Sequence, residues 1–124
     1  MKNLVLRAFH EIPIFDLHFF LYVSHNATKT YNHVAKRWGT TRDDGFDALA
    51  IMDDDGAFAA FFCFGDITEK NIAHEVDHLV NDFMMPYIGQ PRCKKCSNES
   101  HAHLAGYLQK WIKGRLKRAG LDVR

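Results

Sequence analysis

The run His74-Glu75-Val76-Asp77-His78 carries two imidazoles four residues apart. On a helix, side chains at that spacing project from one face a single turn apart, so both rings can reach one divalent cation. Glu75, about one hundred degrees round the helix from His74, falls beside such a cation rather than on it. From there its carboxylate can take a proton from metal-bound water. The competing reading is a chance pair of surface or core histidines. Helical phase argues against the core version: Ile72, Val76, Leu79, Val80 and Phe83 form an apolar stripe that should face a sheet. His74 and His78 then point away from that stripe, onto a side that would ordinarily carry Lys, Glu or Gln.

A hydrolytic zinc site takes three protein ligands and leaves a position for water. Glu99, in the first turn of the expected last helix, is the candidate third ligand, provided that this helix packs on the His side of the motif helix. His103, four residues on, could reach the same space as a ligand or as a hydrogen-bond donor to the transition state. The stretch His74-Glu-Val-Asp-His78 followed by Glu99-Ser-His-Ala102-His103-Leu104-Ala-Gly106-Tyr107-Leu108 resembles the small phage-encoded zinc metallopeptidases, whose motif helix is followed by a helix reading Glu-x-x-Ala-Tyr-Leu. More loosely it is similar to the minimal gluzincin arrangement of two His and a Glu. The resemblance spans about residues 45–112 and departs from the family pattern at His103, where Tyr is usual, and in the Cys93–Cys96 loop. It implies a zincin-like fold, one catalytic zinc ion on His74, His78 and Glu99, Glu75 as the catalytic base and a peptide or protein as substrate. His103 or Tyr107 would then assist the developing oxyanion.

Two rival readings belong to other classes. A zincin-like module could keep its metal helix for binding alone, although such a site has no evident need of Glu75. Alternatively, Cys93-x-x-Cys96 is half of a structural zinc site that His101 and His103 could complete, giving an interaction module. Free thiols in a plain loop are the commoner fate of such a pair. The basic cluster Lys110, Lys113, Arg115, Lys117 and Arg118 suits a helix C-terminus and a solvated face, with contact to nucleic acid the lesser alternative.

These groups must be positioned by 124 residues, enough for one core, so a single domain over residues 1–124 is expected. An apolar share of 47% and a charged share of 25% place the chain with folded globular proteins rather than disordered ones. A formal charge of +1 argues against a surface built wholly for polyanions. Three cysteines make no disulfide framework, and Arg7 and His10 interrupt the first apolar run too early for a signal peptide. Without a membrane-length apolar stretch, the expected location is cytoplasmic, the host cytoplasm if the gene is a phage's.

Leu4 to Leu6 and Ile14 to Val23 read as two strands with a bend at Pro13, and Ala27 to Trp38 as a first helix. Asp47 to Met52 and Ala57 to Phe64 flank Asp53-Asp54-Asp55-Gly56 and read as a hairpin. A strand ending near Phe64 should leave its edge beside the metal, open to an extended peptide. Cys63 within it is expected to be a small buried residue. Asp66, three residues before Glu69, should cap the motif helix, which runs to about Met84. Ser97 caps a last helix to about Arg118, closed by Gly120. The expected architecture is α+β: a small antiparallel or mixed sheet against about three helices.

Overall fold

The computed structural model describes residues 4–12, 17–33, 48–52, 56–87 and 98–124, with side chains in the last span from residue 102. It is an α+β structure: the described residues form a four-stranded mixed sheet and three helices. Strand β1 is Leu4–Ile12, β2 Leu17–Ser24, β3 Ala48–Met52 and β4 Ala57–Cys63. Helix α1 is Ala27–His33, α2 Glu69–His78 and α3 Asn98–Arg118. Between α2 and α3 lie a π-helical segment, Leu79–Met84, and one α turn, Met85–Tyr87.

The sheet order is β1-β2-β4-β3, antiparallel at both outer pairs and parallel between β2 and β4. β1 alternates, burying Leu6, Ala8 and Ile12 while exposing Val5, Arg7, Phe9 and Glu11, as an edge strand covered on one face must. β2 and β4 are almost continuously buried, which is what a central parallel pair covered on both faces requires. On one face Phe19, Leu21, Val23, Phe58, Ala60 and Phe62 pack with Ile72, Val76, Leu79 and Val80 and with Leu104, Leu108, Ile112 and Leu116 of α3. On the other, Phe61 stacks on Tyr22 with ring centroids 4.8 Å apart, and Tyr31 of α1 meets it edge-on.

The hairpin is present, but β4 is not the edge. It is paired on both sides, so among the described residues the sheet edge next to the motif helix is β3. The cap also differs: Thr68, not Asp66, is the N-cap, its hydroxyl accepting from Asn71 N at 2.9 Å, while Asp66 contributes its carbonyl to the Asn71 side chain. Thr wins because its extended backbone (φ −119°, ψ 157°) stands directly before the first helical residue. Cys63 is half-buried rather than enclosed. Gly120, at φ 74°, closes α3 with the bonds Leu121 N to Leu116 O and Gly120 N to Lys117 O, a Schellman pattern that favours glycine. The continuation of α1 toward Trp38, the aspartates 53–55, Ser97, Cys93 and Cys96 lie outside the described residues.

Helices α2 and α3 run antiparallel. Lys113 Nζ stands 3.1 Å from Glu69 Oε1, and Arg124 bonds through its backbone to Ile67 and Glu69, so the end of α3 lies at the start of α2. The ion pair itself is exposed and contributes little stability. Among the described residues no helix is long and apolar enough to cross a membrane.

Candidate metal centre

Helix α2 sits over the β3 side of the sheet with Ile72 and Val76 fully buried beneath it. That stripe sets the direction of everything else on the helix. Glu75 flanks the stripe on one side and is 7% exposed, its carboxyl reached by a backbone hydrogen bond from Ala50 of β3. Glu69, about 120° away across the stripe, faces α3 through Lys113. His78 and His74 lie further round on the Glu75 flank, by about 60° and 100°. Both are exposed. The imidazoles therefore stand on the solvent side of α2, beyond Glu75, and α3 packs along the opposite, Glu69 flank, not on the His side as the sequence suggested. The physical reason is the width of the stripe: Val80 extends it past Val76 toward the Glu69 flank, and apolar burial decides which flank is covered.

The two imidazoles converge. His74 Nε2 and His78 Nε2 are 3.2 Å apart, their ring centroids 4.6 Å apart at an interplanar angle of 85°. Two nitrogens bound to a tetrahedral zinc at 2.0–2.1 Å stand about 3.3 Å apart, so this separation fits a shared cation. His78 Nδ1 meets Asp82 Oδ2 at 2.8 Å. A carboxylate at Nδ1 keeps a proton on that nitrogen and turns the lone pair of Nε2 toward the other ring. The Asp82 hydrogen bond is also the main reason the His78 pKa is raised.

Burial pushes the Glu75 pKa up, while His74, His78 and the Ala50 backbone pull it back down. A carboxylate made more basic by desolvation and standing next to a His pair is suited to accept protons. Among the described residues no third His, Cys, Asp or Glu joins the two imidazoles in a metal-binding group. His103 is exposed on α3. Glu99 falls in the first turn of α3, and its side chain, like that of His101, is outside the described residues.

Tyr107 is engaged elsewhere. Its hydroxyl is 2.6 Å from His10 Nε2 on β1, at the sheet edge opposite β3, and the His10 ring stacks on Trp111 at 4.6 Å. Burial holds the His10 pKa below its ordinary value. The folded state therefore binds this proton less readily than the unfolded chain, and the stability linked to neutral His10 is present above about pH 6.5 and lost as pH falls. Urea midpoints measured from pH 8 to pH 5 should fall more steeply in wild type than in His10→Phe; parallel curves would contradict this linkage.

Asp82 and His10 were not singled out in the sequence. Asp82 stands at His78+4, a spacing that signals a helical His–carboxylate pair. His10 left no comparable signal, because its partners come from a helix nearly one hundred residues on. Comparison with known proteins finds no matching family model, no matching curated protein and no matching solved structure.

Proposed function

We propose that this chain is a zinc-dependent peptide hydrolase with a zincin-like arrangement, acting in the cytoplasm. The reading rests on one observation: the Nε2 atoms of His74 and His78 approach to 3.2 Å beside a buried carboxylate whose pKa burial raises. Glu99 is assigned as the third ligand. The resemblance supplies this assignment; antiparallel packing brings the first turn of α3 toward the His78 end of the motif helix, while the body of α3 lies along the flank of α2 away from the imidazoles. A zinc ion held there would lower the pKa of water to about 7 and polarise a carbonyl.

The chain's own groups supply the rest. Glu75 receives the proton of the attacking water and returns it to the leaving amine. β3 offers the docking edge: Ala50 turns its backbone to Glu75 instead of β4, and antiparallel alternation turns the backbone groups of Ala48 and Met52 the same way. An extended peptide can pair there without a deep pocket.

The rival is an interaction module with structural zinc on Cys93, Cys96 and histidines of the last helix. Elemental analysis of purified wild type, His78→Ala and Cys93→Ser separates the two. One zinc per chain in wild type and in Cys93→Ser, with none in His78→Ala, is the expected result. Zinc lost only from Cys93→Ser would transfer the metal to the cysteine loop, and equal zinc in wild type and His78→Ala would remove it from the helix.

A further inference from the structure

The segment that follows the motif is π-helical rather than α-helical. Six residues, Leu79–Met84, adopt that geometry, and Met85 N bonds to Val80 O, five residues back. Such wide turns are uncommon and require a cause. Pro86 provides one. It has no N–H to give, and in a continuous α-helix its ring would press on the carbonyl of Asp82, four residues back. Opening the turn relieves that contact and lets the chain continue through Met85–Tyr87.

The same opening changes what stands over His78. In an α-helix a residue four positions on is rotated by about 40° from the first. An i→i+5 turn winds less per residue and brings it closer to eclipse. Helical side chains also lean toward the N-terminus, so the short side chain of Asp82 leans back onto the His78 ring. Asp77, a neighbouring carboxylate, is bonded by Asn81 Nδ2 at 2.7 Å, which leaves Asp82 as the carboxylate at Nδ1.

We infer that Asp82 is a positioning residue for His78, and that the π turn seated against Pro86 is the device that brings its carboxylate onto Nδ1. The inference rests on the metal reading above, but it concerns the orientation of the ring, which can be read without metal. Two measurements on the full chain test it. Nitrogen NMR of the metal-free protein reports which ring nitrogen of His78 carries the proton: Nδ1 in wild type, with a shift toward Nε2 in Asp82→Ala and a partial shift in Pro86→Ala. Zinc titration against a competing chelator should show affinity lowered 10–100-fold in Asp82→Ala. It should show a smaller loss in Pro86→Ala, with near-wild-type circular dichroism in both. An unchanged His78 tautomer in Asp82→Ala overturns the inference whether or not zinc binds. Tautomers that shift as expected in a wild type that binds no zinc would instead sink the metal reading and leave the positioning intact.

Discussion

Glu75→Gln is expected to retain zinc and to lose hydrolysis by about 10²–10⁴-fold, the usual contribution of a positioned general base. The amide keeps the shape and the acceptor oxygen that meets Ala50, and it removes only basicity. The structure adds a second, opposite effect. Because burial raises the Glu75 pKa, ionising the carboxylate costs the folded state stability. For an acid with a raised folded pKa, its stability contribution is full below the unfolded value and is lost as pH rises through the folded one. Metal-free Glu75→Gln should therefore match wild type in acid and unfold at a higher urea concentration at pH 8. A variant that is both inactive and less stable at pH 8 would mean that Glu75 is a structural acceptor. This is the trade expected of a functional group kept where stability would prefer a neutral one.

Phe61→Ala should be strongly destabilising. Phe61 is fully buried on the central strand β4, with Tyr22 stacked on it and Tyr31 against its edge. Emptying that site costs about 3–5 kcal/mol, a large part of the roughly 5–15 kcal/mol available to a domain of this kind. Phe9→Ala, at a ring that is 52% exposed on the outer strand, should cost far less. Urea unfolding of the two variants checks the layer order. Similar losses would show that α1 does not cover β4.

Much of this architecture is legible in local pattern. The hairpin follows from two apolar runs about an acidic turn, the motif helix from its 3.6-residue stripe, and the end of α3 from Gly120, whose positive φ the Schellman closure needs. The His pair is legible for the same reason, since residues four apart on a helix share a face wherever the helix goes. Thr68 displaced Asp66 as the cap because capping depends on one residue's backbone angles, which composition does not specify. Pro86 stands just past the expected end of the motif helix at about Met84. In the fold it sits inside a continued helix, because the turn before it widened instead of breaking.

By itself, the sequence determined an α+β chain with two imidazoles and a carboxylate on one helix, because those relations are local and survive any packing. Tertiary structure alone decided that β3, not β4, is the sheet edge among the described residues, that α3 covers the flank of α2 away from the imidazoles, and that Tyr107 belongs to His10. Each of these depends on which apolar surfaces are buried together by segments distant in the chain. That choice is made by the summed burial of the whole core, and no window of neighbouring residues contains it.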